Sequence, residues 1–324
     1  MTNLGMRIRT PSRLHFGLLG WGPQARRQFG GVGLMIDAPG IDLKVEPSSS
    51  WIVDGPSAPR VEQLIAHLRG KMREAGVILQ PAHIRVVSVP PEHVGLGVGT
   101  QLCLAVARAV FLLAGKTDVS VEELARLIGR GRRSGIGLHG FERGGLIVDG
   151  GHRNEADIPP LLARLPFPEA WSILVVQPPG ESGLHGPDEA RAFANLPPIT
   201  QDITDSLCRL VLLEILPAVL ERDLAAFGAA LSELQARVGA CFAPAQGGIY
   251  SSDHARDIVD ALQSHGFVGV GQSSWGPSLY AFSSRSEQEL AISAERIRQQ
   301  FGLDQGAVFL TRAANQGAKF LIED

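Results

Sequence analysis

Extended segments open the chain around Met6–Thr10 and Ile41–Glu46. Between Arg60 and Ala75 the pattern changes: Val61, Leu64, Ile65, Leu68 and Met72 fall at the spacing of one helical face. His83–Val89 alternates as a strand does, and Pro90-Pro91 ends it. From Thr100 to Ala114 apolar residues occupy nearly every side of a helix, which predicts a buried one. A second helix starts at Ser120, with Glu123 three residues on as a capping box. Gly144–Gly151 reads as a short buried strand between glycine turns.

Near Trp171 the pattern restarts. Trp171–Pro178 reads as a strand, followed by helices over Thr204–Leu220, Asp223–Val238 and Asp253–His265. Strands at Ser278–Phe282, Ala307–Thr311 and Ala318–Ile322 surround one further helix, Glu287–Gln300. Helices and strands mixed without regular β-α-β alternation predict two α+β lobes, divided as residues 1–168 and 169–324.

Bulk composition agrees. A chain of 324 residues is long for one core and suggests about two domains. With 44% hydrophobic and 19% charged residues it reads as globular rather than disordered. A net charge of −3 gives no sign of a nucleic-acid-binding surface. Cys103, Cys208 and Cys241 lie in apolar sequence without metal spacing and are expected to be reduced core residues of a cytoplasmic protein. The first residues lack the apolar stretch of a secretion signal. The longest apolar run, Leu102–Ala114, is too short to span a bilayer and contains Arg108, so no membrane partner is expected.

Four segments carry candidate chemistry. Gly95, Gly97 and Gly99 alternate just before the buried helix, where converging backbone N–H groups and a helix N-terminus suit phosphate or diphosphate, with Thr100 and Gln101 beside it. An ordinary tight turn is the other reading. Neither the Walker pattern nor the full Rossmann fingerprint is present. Next, five arginines stand against Glu142 alone between Arg126 and Arg143, suggesting a polyanionic small molecule. Arg132 and Arg133 are favoured as its contacts, with Ser134 beside them, while Arg126 and Arg130 suit the exposed end of an arginine-rich helix. Only four of the thirty basic residues are lysine, which weakens the case for any single arginine.

The stretch Thr10–Asp37 has little periodicity and reads as glycine-punctuated loop carrying Arg13, His15, Arg26, Arg27 and Asp37. His15 suits a site or a packed core equally well. Finally, Gly269–Phe282 holds Ser273 and Ser274 before a Trp-Gly-Pro turn, either a second loop over a ligand or a plain connection.

Taken together, "TPSRLHFGLLG", "PPEHVGLGVGTQ" and "GVGQSSWGPSLY" resemble the three motifs of the GHMP superfamily, named for galactokinase, homoserine, mevalonate and phosphomevalonate kinases. That resemblance implies a ribosomal-S5-domain-2-like N-terminal lobe and a ferredoxin-like C-terminal lobe. The kinases keep a catalytic carboxylate in a Ser-Gly-x-Asp loop, whereas here the loop reads Ser134, Gly135, Ile136, Gly137. Further stretches, "RRQFGGVGLMID", "IGLHGFERGGLIVDGG" and "TRAANQGAKF", are similar to one branch, the β-ribofuranosylaminobenzene 5′-phosphate synthases of tetrahydromethanopterin biosynthesis.

Membership of that branch implies joining phosphoribosyl diphosphate (PRPP) to 4-aminobenzoate or 4-hydroxybenzoate, with loss of CO₂ and diphosphate and with Mg²⁺ as cofactor. Such chemistry needs no base for an attacking hydroxyl. His15 or His139 would accept a hydrogen bond from the ring's amino or hydroxyl group. Asp37 and Asp149 are metal carboxylates or turn caps. An ATP-dependent kinase with Glu142 as its base, and a ligand sensor without activity, are the rival expectations. Apolar helices in the second half allow a homodimer or simply form core.

Overall fold

The computed structural model describes residues 5–179 and 186–323. In the first half it contains β1 (Gly5–Gly20), β2 (Phe29–Pro47), β3 (Ile52–Asp54), α1 (Ala58–Glu74), β4 (Ala82–Ser88), α2 (Val98–Leu113), α3 (Val121–Leu127), α4 (Ile136–Arg143), β5 (Leu146–Asp149) and β6 (Leu161–Leu165). Then come β7 (Ser172–Val176), α5 (Gly186–Asn195), α6 (Gln201–Leu210), one π turn (Val211–Ile215), α7 (Leu216–Glu221), α8 (Leu224–Gln246) and α9 (Asp253–Ser264). Last are β8 (Val268–Gln272), β9 (Leu279–Ser283), α10 (Glu287–Gln300), β10 (Val308–Thr311) and β11 (Lys319–Glu323).

Two sheets define the lobes. The first runs β11-β1-β2-β4-β3, with β5 on β2 and β6 on β5. The second runs β10-β7-β9-β8 and is antiparallel throughout. Its strands, counted along the chain, lie in the order 4-1-3-2 of a ferredoxin-like unit. The α+β two-lobed expectation matches. Strand β11 lies beyond residue 168 yet pairs with β1, so the far end of the described chain returns to the first sheet.

The stretch read as loop, Thr10–Asp37, is instead most of a long β1–β2 hairpin. Residues 14–20 and 30–36 are buried on both faces, and burial on both sides erases the alternation that marks a half-exposed strand. The glycines there allow close approach. A Cβ on Gly33 would stand 2.5 Å from the Leu14 carbonyl oxygen, and one on Gly17 2.7 Å from Val238 on α8.

Elsewhere the pattern and the structure agree. Helices α1 and α2 follow their apolar spacing, and the Ser120–Glu123 capping box is formed in both directions. Strands β3, β6 and β8 and helices α4 and α5 are additions that the pattern does not signal. Of the cysteines, Cys103 is buried, Cys241 half-buried and Cys208 exposed on α6, so the expectation of three core cysteines fails for the last. Among the described residues no helix is long and apolar enough to cross a membrane.

The lobes share a core. Phe16 of β1 packs against Tyr280 and Phe282 of β9 at centroid distances of 5.1 and 6.1 Å. Gln235 on α8 donates to the Phe16 carbonyl and accepts from the Gln272 N–H at 2.9 Å, tying β1 to β8.

Candidate active site

The glycine loop opens α2. Gly95 and Gly97 have φ of 86° and 70°, left-handed values at which side chains are strained. Neighbours press directly on the loop. A Cβ on Gly95 would collide with the Ser273 carbonyl oxygen, one on Gly97 would meet the Arg13 Cγ at 2.5 Å, and one on Gly99 the Arg60 guanidinium at 2.5 Å. No side chain caps α2; the Thr100 and Gln101 N–H groups turn back to the Gly97 carbonyl, which leaves the N–H groups of Val98 and Gly99 for an anion.

Two adjoining chambers meet at this loop. The smaller, about 200 Å³, is lined by the loop glycines and Thr100 together with Arg13, Arg60 and Arg130, and by Glu92, which pairs with Arg60, and Glu189. The larger, about 350 Å³, is lined by His15, residues 129–134 and the rings of Phe16, Phe193, Phe242 and Trp275. Arg13, Thr100, Arg130, Glu189, Ser274 and Trp275 line both.

Arg13 has a buried Nη1 with no hydrogen-bond partner among the described residues. Burial draws its pKa down to about 10, against the opposing pull of Glu189 and Asp149, so it remains cationic at neutral pH. A buried, cationic donor without a partner costs free energy unless a ligand satisfies it. Arg133 pairs with Glu189 of α5 at 2.5 Å and lies 4.9 Å from the Phe193 ring centroid. Phe193, Phe242 and Trp275 pack edge to face with centroids 4.7–5.9 Å apart, giving the larger chamber an apolar wall.

His15 also lines the larger chamber. Its Nε2 is 3.1 Å from Ser134 Oγ, and Ser134 Oγ donates to Asp149 Oδ2 at 3.1 Å. Burial, and then the Arg13 charge, hold the imidazole well below its usual range. Ser273 serves as a clasp: its Oγ accepts from the His15 N–H at 3.0 Å and donates to the Gly95 carbonyl at 2.7 Å. The motifs around residues 13, 95 and 273 therefore converge.

Several expected site residues are not brought to the chambers. His139 spends Nε2 on the Pro159 carbonyl at 2.8 Å, because α4 turns that ring away from the cavity. Asp149 lies outside both linings and accepts from Gly135 N–H at 2.8 Å, Gly151 N–H at 2.9 Å and Ser134, so in this structure it braces the Ser134 turn. Asp37 sits at the far bend of β2, where its N–H bonds the Arg312 carbonyl. Arg27 bridges to the Gly150 and Gly151 carbonyls, and Arg26 is exposed outside both linings. Gln101 is buried and donates to the Gly137 carbonyl at 2.7 Å, joining α2 to α4. Glu142, the alternative kinase base, is exposed and pairs with Arg143.

Arg13, His15, the three loop glycines, Thr100, Arg132, Arg133, Ser134 and Ser274 do line the chambers. Sequence reasoning missed Arg60, Arg130, Glu189 and the three aromatic residues. Two of these had a signal, Trp275 from its place in the Gly269–Phe282 stretch and Arg130 from its place in the arginine cluster. At Gly137 an added Cβ would meet nothing closer than 3.6 Å, so packing does not exclude a side chain there.

A glycine loop feeding a buried helix, clasped by a ferredoxin-like lobe, defines the GHMP kinase class of fold. "GHMP kinases N terminal domain" matches residues 61–145 and "GHMP kinases C terminal" residues 215–299. Among solved structures, a homoserine kinase from Cytophaga hutchinsonii superposes with a TM-score of 0.62 at 16% identity, covering 99% of this chain and 98% of its own. The mevalonate diphosphate decarboxylase from Enterococcus faecalis does so at 0.65 and 12%, covering 98% and 99%. These share the fold.

Sequence relatives are closer. β-Ribofuranosylphenol 5′-phosphate synthase from Methanothermobacter thermautotrophicus is 33% identical over 98% of both chains. The protein of the same name from Archaeoglobus fulgidus is 34% identical over 97% of this chain and 99% of its own. The chain belongs to the β-ribofuranosylphenol 5′-phosphate synthase family within the GHMP superfamily.

Proposed function

We propose that this protein condenses PRPP with 4-hydroxybenzoate or 4-aminobenzoate, forming a carbon–carbon bond between ribose and ring and releasing CO₂ and diphosphate. The observation that carries the reading is the junction of an arginine-lined anion chamber with an aromatic-walled one, beside a glycine where a kinase needs a base.

The chemistry sets three tasks. Diphosphate leaving C1 must be stabilised, and the glycine loop with Arg13, Arg60 and Arg130 supplies donors and positive charge. The oxocarbenium-like sugar must be kept from water and the ring aimed at it, which the Phe193–Phe242–Trp275 wall suits. Arg132, and Arg133 on exchanging its Glu189 partner, would hold the sugar's 5′-phosphate. The ring attacks through the carbon bearing its carboxylate, and CO₂ departs as aromaticity returns. His15 takes the hydrogen bond from the ring's hydroxyl or amino group.

Mg²⁺ is part of this proposal. Among the described residues no three His, Cys, Asp or Glu side chains are grouped to hold a metal, so the ion would enter on the diphosphate, with Thr100 and Glu189 offering oxygens from the chamber wall. It would neutralise charge on the leaving group. A cytoplasmic location and a role in tetrahydromethanopterin biosynthesis belong to the same reading. So does a homodimer, for which Leu212, Leu213 and Leu220 offer exposed apolar side chains.

The test supplies PRPP, Mg²⁺ and each benzoate labelled in its carboxyl carbon. Release of labelled CO₂ that depends on PRPP supports the synthase. No release, together with ATP-dependent phosphorylation of a small alcohol, would replace it with the kinase.

A further inference from the structure

We infer that Asp149 and Ser134 are positioning residues that fix the His15 ring as its Nε2–H tautomer, so that Nδ1 is the atom taking a proton from the arene's hydroxyl or amino group. The inference rests on the synthase reading for its substrate, but the tautomer follows from proton accounting around an ionised Asp149.

A serine hydroxyl has one proton and two acceptor lone pairs. Ser134 Oγ has three partners: Asp149 Oδ2 at 3.1 Å, the Ile136 N–H at 3.2 Å and His15 Nε2 at 3.1 Å. Asp149 receives the Gly135 N–H on Oδ2 and the Gly151 N–H on Oδ1; burial raises its carboxyl pKa while these bonds and Ser134 lower it, and as a carboxylate it takes the hydroxyl proton. Ile136 can only donate. His15 Nε2 must therefore also donate, into the remaining lone pair. An uncharged ring then carries its lone pair on Nδ1, free to accept from a substrate. Burial and the nearby Arg13 favour that uncharged form.

The buried acid thus acts at one remove, through a hydroxyl. Glycine suits the position beside it: a Cβ on Gly31 would sit 3.3 Å from His15 Nε2 and 3.4 Å from Asp149 Oδ2, tighter than most such contacts at the nitrogen.

The step balances. As the ring carbon bonds to C1 of the ribose and the C1–O bond to diphosphate breaks, Nδ1 takes the proton from the para hydroxyl, leaving a neutral dienone ring that still bears its carboxylate. The bond to the carboxylate then breaks, and its electron pair restores the aromatic ring as a phenolate. His15 returns the proton to that oxygen. No proton is gained or lost overall, and the amino substrate follows the same course through its nitrogen.

The experiment reads the imidazole nitrogens of ¹⁵N-labelled protein by NMR, with His15→Gln identifying the signals. Wild-type protein is expected to show Nε2 protonated and Nδ1 bare. Ser134→Ala should mix the tautomers and lower kcat by about ten- to a thousandfold while leaving KM for PRPP within about twofold. Ser134→Thr, which keeps the hydroxyl, should recover most of both. A protonated Nδ1 in the wild type overturns the inference without any variant, as does a Ser134→Ala protein with unchanged tautomer and rate. Should the wild type release no CO₂ from either benzoate, the synthase reading fails, while the tautomer is still measured.

Discussion

Ser273 and Gly95 stand 178 positions apart in sequence and 2.7 Å apart in space, hydroxyl to carbonyl. Because the same hydroxyl receives the His15 N–H, one side chain holds the glycine loop, the β1 strand and the β8–β9 turn in register. Ser273→Ala leaves a buried N–H and a carbonyl without their partner. Stability should fall by about 1–3 kcal/mol, read from urea unfolding, and PRPP affinity should fall with it.

Two glycines invite opposite outcomes. Gly97→Ala combines a left-handed φ of 70° with a Cβ 2.5 Å from Arg13, so PRPP binding should be lost or weakened at least about tenfold in calorimetry. Gly137→Ala meets only ordinary contacts and should leave turnover intact, with α4 stabilised by up to about 1 kcal/mol. Loss of CO₂ release in Gly137→Ala would mean that the bare backbone itself takes part.

Arg13→Gln removes a cationic donor from both chambers. KM for PRPP is expected to rise about ten- to a hundredfold, the worth of one charge-assisted hydrogen bond to phosphate. Chelating Mg²⁺ should likewise weaken PRPP binding but leave the melting temperature of the unliganded protein unchanged, since no described cluster of side chains holds the ion by itself.

The pH dependence of stability has a definite sign. His15 is held well below 6.5 when folded. Below about pH 6.5 the unfolded chain takes up a proton there that the native state refuses, so native stability drops as pH falls, by at most about 1.4 kcal/mol per unit. Above that value the effect vanishes. His15→Gln lacks it, so thermal unfolding from pH 8 to pH 5 should show the variant losing less stability than the wild type. Parallel curves would place His15 in a more solvated setting than the structure gives it.

Periodicity reveals those elements whose environment differs between faces. Helix α1, exposed on one side, is plain, and β4 alternates. The β1–β2 hairpin escapes because Leu14, Phe16, Leu18 and Val32, Leu34, Ile36 interleave with residues that are also buried. In the site, the glycine loop, Arg13 and His15 are legible from composition and order. That His139 and Asp149 lie outside the chambers is not legible, since a residue type says nothing of which way α4 turns or how many N–H groups surround a carboxylate. Arg60 is hidden by its place at the start of an amphipathic helix, Phe193 and Phe242 by the absence of any spacing that marks an aromatic wall.

The pairing of β11 with β1 sets an order on synthesis. Gly5–Arg9 gain their outer partner only when Lys319–Glu323 have been made, after every strand of the ferredoxin-like lobe. Until then the outer edge of β1 stays open, a row of backbone groups without a neighbouring strand. A ribosome making this chain therefore cannot finish the first lobe before the second has emerged. The two sheets are also unequal along the chain: β7 to β10 lie in one contiguous stretch, whereas the first sheet takes β11 from beyond it.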